Sequence, residues 1–225
     1  MALATTIGER VAMLRARVDR VAEAAGRSAG SVAILGVTKT QPRDAVLAAV
    51  AAGLSDIGEN YLQEAREKYV DLPPVTRHFI GHVQTNKAKA IVGLFDVVQS
   101  VDRLEAGLAI EKAARALGRS VRVLVQVNVS PGERFGVAPS GAAHLAEQLR
   151  SEGLTVDGVM AIGPLEGDVS QAFETAREAF AVVGGTTLSL GMSADWERAI
   201  VQGSTMIRIG TAIFGARPVQ ERVTA

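Results

Sequence analysis

Apolar residues near the start of the chain recur at every third or fourth position, which is the spacing of one face of an amphipathic helix. They are Ile7, Val11, Leu14, Val18 and Val21. Thr6 precedes them, and Glu9 follows Thr6 by three residues. This arrangement resembles a capping box, in which two side chains bond each other's backbone N–H groups. The pattern predicts that the chain begins with an amphipathic helix.

From residue 31 onward the pattern changes to short apolar runs that alternate with segments of helical spacing. The runs cover residues 32–38, 54–58, 77–81, 95–100, 121–129, 156–163, 187–192 and 206–215. Residues typical of helix starts lie between them, at Pro42, Asp102 with Glu105, Pro139 with Ser140, and Ser193 with Asp195. This alternation predicts right-handed βαβ units and a parallel sheet, and eight units are the number that closes a barrel.

Two α/β architectures fit this alternation. An open doubly wound sheet would normally carry a G-x-G-x-x-G loop after its first strand, and no such sequence follows the first run. We therefore predict a (β/α)8 TIM barrel, with residues 1–225 forming a single domain that has an extra N-terminal helix. The composition is 48% hydrophobic and only 4% aromatic. Such a mixture is typical of buried parallel strands and their covering helices.

Charge and cysteine content restrict the classes of partner. The 24 Lys and Arg residues balance 24 Asp and Glu residues, so the bulk attraction that nucleic-acid and anionic-membrane binding proteins use is absent. There is no cysteine, which excludes disulfides, thiolate metal ligands and a cysteine nucleophile. Glu9 and Arg10 interrupt the N-terminus before a signal-peptide core could form, and no stretch approaches the roughly 20 apolar residues of a membrane span. We expect a soluble, cytoplasmic protein with no nucleic-acid or membrane partner.

In a TIM barrel the functional residues lie at the C-terminal ends of the strands, so the residues that end each run are the candidates. Runs one to four end at Lys39, Glu59, Asn60, Gly81, His82 and Ser100. Runs five to eight end at Gln126, Asn128, Met160, Gly163, Gly191, Met192, Ser193, Arg208, Gly210 and Thr211. All of these residues are expected to face one mouth of the barrel.

Lys39 has the most unusual surroundings of the five lysines. Lys68, Lys87, Lys89 and Lys112 lie in or beside helical segments, and we interpret them as parts of solvated faces. Lys39 instead follows an apolar run, and a partly desolvated amine has the lowered pKa that a Schiff-base lysine needs. The alternative is a lysine that ends a strand and extends its amine to water. Position alone does not decide between the two.

The last two runs add a possible phosphate site. Ser193 could cap the helix after run seven, and Gly210 with Thr211 could bring backbone close to a ligand. Loops after strands seven and eight are the usual phosphate site of this fold. Arg208 shares the side-chain parity of Gly210 and could point inward, although an ordinary cap and a paired core arginine are the alternatives. Together with Lys39, these residues describe a site for an aldehyde that carries a phosphate, such as pyridoxal 5′-phosphate (PLP).

Six blocks of this sequence resemble the YggS/PROSC family of PLP homeostasis proteins, whose barrel is similar to the N-terminal domain of alanine racemase. The blocks are V-T-K-T-Q-P (37–42), I-G-E-N-Y-L-Q-E (57–64), H-F-I-G-H-V-Q-T-N-K (78–87), Q-V-N-V-S (126–130), L-S-L-G-M-S-A-D-W-E-R-A-I (188–200) and G-S-T-M-I-R-I-G-T-A-I-F-G-A-R (203–217). These blocks begin at residue 37 and end at residue 217, so the resemblance spans nearly the whole predicted barrel. The resemblance implies the fold type III barrel of PLP proteins and a role in intracellular PLP homeostasis.

The resemblance also implies roles for individual residues. Lys39 would form the Schiff base, Ser193, Gly210 and Thr211 would hold the phosphate, and Arg208 would face the pyridine nitrogen. A fixed positive charge there would keep that nitrogen unprotonated, which makes the cofactor a poorer electron sink. Further residues implied beside the ring or along the pocket are Asn60, His82, Met160 and Met192.

Two positions depart from the family pattern. Many relatives have a second lysine where this chain has Gln41, and many have a lysine before the glycine after strand five, where this chain reads E-R-F-G (133–136), with Arg134 and Phe135 before the glycine. Any secondary cofactor-binding or transfer role of those lysines therefore does not carry over to this chain.

Three functional hypotheses fit this sequence. The hypothesis that we favour is a PLP carrier that buffers or delivers the cofactor, with apo PLP-dependent enzymes as recipients. We expect this carrier to be a monomer without substantial catalysis. A small fold type III enzyme such as an amino-acid racemase is the alternative. It needs a second acid/base opposite the lysine, and the only two tyrosines, Tyr61 and Tyr69, lie at or within the second helix of the barrel. The third possibility, a barrel that only binds other proteins, predicts no cofactor.

Overall fold

The computed structural model of the protein describes residues 5–130, 135–164 and 169–215. The strands are β1 (Ala33–Val37), β2 (Asp56–Glu59), β3 (Thr76–Phe79), β4 (Val97–Val101), β5 (Arg122–Val127), β6 (Thr155–Ala161), β7 (Thr187–Ser189) and β8 (Met206–Ile209). The α-helices are α1 (Ile7–Ala24), α2 (Arg43–Ala51), α3 (Leu62–Lys68), α4 (Ala88–Leu94), α5 (Leu104–Leu117), α6 (Ala142–Ser151), α7 (Val169–Val183), α8 (Trp196–Val201) and α9 (Thr211–Phe214). Short 3-10 helices cover Thr85–Lys87 and Pro139–Gly141.

The eight strands form a closed barrel in which every neighbouring pair is parallel, so the predicted (β/α)8 fold is confirmed. β1 pairs with β8, with Leu35 opposite Arg208. The alternative of an open sheet is wrong, because an open sheet would leave those two strands as unpaired edges. Closure brings the end of β1 beside the end of β8, although the two are far apart in sequence.

The predicted N-terminal helix is also present. The side chain of Thr6 accepts a hydrogen bond from the Glu9 backbone N–H, and the Glu9 carboxylate accepts one from the Thr6 backbone N–H. Helix α1 packs against α2, α8 and α9 on the outside of the barrel. It therefore covers the side where the barrel closes between β8 and β1.

Several predicted boundaries differ from those observed. Each apolar run overlaps one strand, but run eight (206–215) contains both β8 and α9. The strand ends at Ile209, because the Gly210 carbonyl accepts hydrogen bonds from Ile213 and Phe214 that turn the backbone into a helix. Hydrophobicity alone does not separate the two elements, since Ile213 is as buried under the sheet as the strand residues are.

Side chains of the barrel form two layers. The side chains that face the helices belong to one continuous apolar cluster, which includes Ile57 and Ile207. A second set is buried but separate from that cluster, inside the barrel, and its apolar members are Leu35, Val97, Leu124, Met160 and Met206. Buried polar residues share that interior: His78, Gln99, Gln126, Ser189 and Arg208. The barrel interior is thus more polar than the branched apolar layers usual in this fold.

Within the residues that the structure describes, no helix has both the length and the apolar character needed to cross a bilayer.

Candidate functional site

A pocket opens at the C-terminal mouth of the barrel between β1 and β8. It is lined by Val37, Lys39, Gln41, Met192, Ser193, Arg208, Gly210, Thr211 and Gly215. Six of the nine predicted cofactor-binding residues therefore line one cavity: Lys39, Met192, Ser193, Arg208, Gly210 and Thr211. An amine, a guanidinium and hydroxyl groups meet there, a donor set suited to a ligand with an anionic group and an electrophilic carbon.

Lys39 lies two residues after the end of β1 and continues the parity of Leu35 and Val37, which places it at the mouth. The next residue, Thr40, has a φ of 64°, in the left-handed region that a β-branched residue seldom adopts. The Glu64 carboxylate accepts a hydrogen bond from the Thr40 backbone N–H at 2.7 Å. The turn that carries Lys39 is thus fixed by a residue of α3.

Lys68 is the centre of that support, and our interpretation of it as part of a solvated face is wrong. Only 5% of the residue is exposed. Its Nζ lies 2.8 Å from a Glu59 oxygen and 2.7 Å from a Glu64 oxygen, and it donates to the Thr38 carbonyl at 2.6 Å. The charged segment E-A-R-E-K gave no sign of this burial, because Glu59 and Thr38 come from the ends of two strands. We call Glu59, Glu64 and Lys68 the ion cluster.

Glu59 extends the ion cluster to the neighbouring loop. Its carboxylate accepts hydrogen bonds from the backbone N–H groups of Asn60 at 2.7 Å and Tyr61 at 3.0 Å. The Thr38 hydroxyl lies 3.0 Å from the same carboxylate and 2.8 Å from the Tyr69 hydroxyl. Burial raises the pKa of Tyr69, so this phenol stays protonated. The loops after β1 and β2 are therefore held to each other.

Ser193 lies on the opposite wall of the pocket, and its predicted role as a helix cap is wrong. Ser193 does not cap α8; it is exposed in the turn before the helix, and Asp195 occupies the N-cap position. The Asp195 carboxylate reaches back and accepts a hydrogen bond from the Met192 backbone N–H at 2.6 Å. Asp195 takes this position because the helix begins only at Trp196. The Ser193 hydroxyl still lines the pocket, but it does so from a turn.

Arg208 points into the barrel, as its strand parity predicts, and is 4% exposed. Its Nη1 donates to the carbonyl and the hydroxyl of Ser189 at 2.7 and 2.8 Å, and its Nη2 donates to the Ala161 carbonyl at 2.8 Å. Among the described residues no carboxylate lies within ion-pair distance of it, so the alternative of a paired core arginine is wrong. Burial lowers the pKa of Arg208 to about 10, which leaves it charged at neutral pH.

The other three predicted site residues lie outside the lining of this pocket. Asn60 follows the buried Glu59, and its Oδ1 is buried without a hydrogen-bond partner. His82 stacks on Phe135, with ring centroids 3.9 Å apart. Met160 is 1% exposed inside the barrel, where it pairs in register with Ser189. Arg134, one of the residues at which this sequence departs from the family pattern, lies outside the described residues.

Other residues predicted at the barrel mouth form hydrogen bonds with backbone groups of neighbouring loops. The Ser100 hydroxyl donates to the Gly81 carbonyl, and the Gln126 side chain donates to the Phe135 carbonyl at 3.0 Å. Gly81 is needed because a Cβ there would lie 2.0 Å from the Asn60 carbonyl oxygen. In the part of the chain that the structure describes, no three His, Asp or Glu side chains gather as metal ligands would.

Comparison with known families and structures agrees with this architecture. Residues 10–218 match the family model described as alanine racemase, N-terminal domain. Among solved structures, PipY of Synechococcus elongatus with PLP bound has a TM-score of 0.82 and 34% identity, covering 93% of this chain and 100% of PipY. D-threo-3-hydroxyaspartate dehydratase from a Delftia species, with a TM-score of 0.68 and 19% identity over 91% of this chain and 59% of its own, shares the fold.

Curated relatives match over nearly their full length. The pyridoxal phosphate homeostasis protein of Pseudomonas aeruginosa is 44% identical over 222 residues, covering 95% of this chain and 96% of the relative. The protein of the same name from Escherichia coli K12 is 36% identical over 234 residues, covering 96% and 99%. With the closed barrel and the matching model, these identities show that the chain belongs to the alanine racemase N-terminal domain family and, within it, to the pyridoxal phosphate homeostasis proteins.

Proposed function

We propose that this protein binds PLP at the mouth pocket, with Lys39 attached to it as a Schiff base, and acts in PLP homeostasis. The observation that carries the proposal is the single cavity in which Lys39 faces Ser193, Gly210 and Thr211, with Arg208 on its wall. Bound PLP supplies an electrophilic aldehyde. Lys39 would hold the cofactor through that carbon as a Schiff base, the linkage that an amine forms with an aldehyde by loss of water.

The pocket residues fit the remaining parts of the cofactor. The hydroxyls of Ser193 and Thr211 with the backbone at Gly210 would hold the phosphate, and Arg208 would face the pyridine nitrogen. The hydrogen bonds of Arg208 use its two Nη atoms, so its Nε–H has no acceptor among the described residues. We place Met192 on the pocket wall and propose Asn60, His82 and Met160 as neighbours of the ring; the unpartnered Oδ1 of Asn60 supports the first of these.

We further propose that the protein buffers or delivers PLP to apo PLP-dependent enzymes and does not turn over amino acids. The positions of both tyrosines support this. Tyr69 is 1% exposed and bonded to Thr38, and Tyr61 is 57% exposed at the N-cap of α3, outside the pocket lining. Neither is placed as an acid/base opposite Lys39. In this proposal the chain acts as one domain and as a monomer in the cytoplasm.

Visible absorption tests the covalent attachment. The purified protein with PLP should show a Schiff-base band, and Lys39→Ala should lose it, because Lys39 is the only lysine among the described residues that line the pocket. Lys89→Ala is the matched control, since Lys89 is exposed on α4 and should leave the band unchanged. A band that survives Lys39→Ala unchanged overturns the assignment.

The choice between carrier and racemase has its own test. The protein loaded with PLP is incubated with single enantiomers of amino acids, and chiral chromatography follows the opposite enantiomer. The proposal expects no sustained inversion. Inversion of many equivalents of amino acid per chain would show that the protein is an enzyme and would contradict the carrier proposal.

A further inference from the structure

A chain of four hydrogen bonds crosses the barrel interior from Arg208 to β2. Arg208 Nη1 lies 2.8 Å from Ser189 Oγ, and Ser189 Oγ lies 2.8 Å from Gln99 Oε1. Gln99 Nε2 lies 2.8 Å from His78 Nδ1, and His78 Nε2 lies 3.0 Å from Asp56 Oδ1. We call Asp56, His78, Gln99 and Ser189 the relay. It joins four strands of the barrel to the arginine on the pocket wall.

The chemistry at the two ends sets the direction of every bond in the relay. A guanidinium can only donate, and an ionised carboxylate can only accept. Ser189 Oγ therefore accepts from Arg208 and gives its own proton to Gln99, and Asp56 accepts from His78 Nε2–H. With His78 neutral, one arrangement satisfies all four bonds: Gln99 donates to the unprotonated Nδ1 of His78. All the donors point from Arg208 towards Asp56.

The relay links a lone buried cation to a distant carboxylate. Ser189 and Gln99 are fully buried, His78 is 2% exposed, and Arg208 has no ion-pair partner among the described residues. Burial by itself raises the pKa of Asp56, but the hydrogen bonds from His78 and Ser55 together with the charge interactions with His78 and Arg122 bring the pKa below the usual value. Hydrogen bonds in a low-dielectric interior polarise one another. The relay therefore connects the guanidinium to Asp56 through three intervening hydrogen-bonded groups.

Stability alone is a weak reason for such an arrangement. Barrel interiors of this fold are normally filled with branched apolar side chains, and a well-packed apolar substitute for buried polar groups is often equally stable. The relay ends at Arg208, which lines the pocket. It does not include Lys39 or the turn that carries Ser193. We propose that Ser189, Gln99 and His78 are positioning residues that fix the orientation of Arg208 for the cofactor ring, an inference that rests on the proposed PLP site.

Two buried serines provide a matched test. Ser189 and Ser204 are both fully buried and both hydroxyls form hydrogen bonds, but only the Ser189 hydroxyl bonds Arg208, whereas the Ser204 hydroxyl bonds the carbonyls of Leu188 and Met206. Ser189→Ala should weaken PLP binding about tenfold, the usual effect of removing a hydrogen bond to a charged group, and should shift the absorption of bound PLP. Ser204→Ala should leave both unchanged. If the two variants weaken PLP binding equally, the role of the relay is contradicted but the PLP site is not. If the wild-type protein binds no PLP, the proposed PLP site itself is contradicted.

Gln99→Met tests the relay one bond further from the pocket. Among the described residues Gln99 forms no hydrogen bond with a pocket-lining residue, so the hydrogen-bonded route from Gln99 to the pocket passes through Ser189. We expect the combined variant Gln99→Met with Ser189→Ala to bind PLP no more weakly than the weaker-binding single variant. Both substitutions interrupt the same series of hydrogen bonds, so their effects should not add. Additive losses, or wild-type affinity in Gln99→Met, contradict the proposal.

Nuclear magnetic resonance of 15N-labelled histidine gives a readout that needs no cofactor. In the wild-type protein without PLP, the His78 ring should carry its proton on Nε2, which faces Asp56, and Nδ1 should accept from Gln99. Assignment uses His82→Gln and His144→Gln to remove the other two histidines. A proton on Nδ1 contradicts the relay, because Gln99 would then have to turn its amide away from Ser189.

Discussion

Two buried cations support opposite walls of the pocket, and their surroundings differ. Lys68, beneath the turn of Lys39, lies between the carboxylates of Glu59 and Glu64 in the layer between sheet and helices. Arg208, on the other wall, lies inside the barrel and bonds only neutral oxygens of Ser189 and Ala161. The charge of Lys68 is balanced where it stands. Arg208 has no carboxylate in contact with it among the described residues, although the charge of Asp195 acts on it from a greater distance, and its guanidinium lines the pocket.

This difference separates a structural role from a ligand-directed one. A cation between two carboxylates holds loops together and has little field left for a ligand. A cation held by neutral groups keeps its charge for whatever enters the site, at the cost of its desolvation. The ion cluster should thus govern folding stability, and Arg208 should govern the bound cofactor.

The largest expected effect is the loss of stability in Lys68→Met. The variant leaves Glu59 and Glu64 without their cation, and breaking a buried pair from one side costs about 3–5 kcal/mol in the free energy of unfolding. Arg208→Met leaves only neutral acceptors unpaired, at about 1–3 kcal/mol. Urea denaturation of both variants without PLP measures the difference. An Arg208→Met variant less stable than Lys68→Met would reverse the comparison.

PLP affinity should rank the same two variants in the opposite order. Arg208→Met removes a group that lines the pocket, whereas Lys68→Met, where folded, keeps every pocket-lining residue. Fluorescence or absorption titration with PLP should show the greater weakening in Arg208→Met. Equal affinities in the two variants would show that the charge of Arg208 does not reach the ligand.

A smaller effect is expected from two threonines on either side of Lys39. The Thr38 hydroxyl bonds the Gly58 carbonyl, Glu59 and Tyr69, whereas the buried Thr40 hydroxyl has no partner. Thr38→Val should cost about 1–2 kcal/mol of unfolding free energy, and Thr40→Val should be close to neutral, because only the first leaves buried partners unsatisfied. Both substitutions keep the β-branched shape. Thermal denaturation compares them, and a loss in Thr40→Val as large as that in Thr38→Val would contradict the role of the ion cluster.

The smallest expected effect is the pH dependence contributed by Asp56. Because its folded-state pKa lies below the usual value, the ionised carboxylate stabilises the folded protein above the ordinary carboxyl range. That contribution is lost as the pH falls through the lowered pKa. The stability difference between wild type and Asp56→Asn should therefore be present at about pH 7 and narrow towards about pH 3. A difference that is constant over this range would show that the relay does not end on a charge.

The barrel and the Lys39 side of the pocket were predictable from sequence because they depend on periodicity. Apolar runs mark strands, and the residues just after the end of each strand fall at the mouth by topology alone, as Lys39 and Thr211 do. Ser193 was placed at the mouth correctly but given the wrong local role. A nearby Asp195 competes for the helix cap, and single-residue propensities do not rank Ser and Asp at that position.

The two supporting networks were not predictable in the same way. Lys68 has the sequence pattern of a surface lysine, because the Glu59 carboxylate and the Thr38 carbonyl that contact it lie on other elements. His78, Gln99 and Ser189 carry a weak signal, since each is a polar residue at an inward position of an apolar strand. That signal marks them as unusual, but the bond between Gln99 on β4 and Ser189 on β7 joins strands that are not neighbours and face each other only across the closed barrel.

The most direct test of the central claim is where PLP attaches. The protein is loaded with PLP, reduced with borohydride to convert the imine to a stable amine, digested and analysed by mass spectrometry. We expect one pyridoxyl group per chain, on the peptide that contains Lys39, and none on the other four lysines. Modification of Lys68, Lys87, Lys89 or Lys112 in place of Lys39, or no modification at all, would contradict the account.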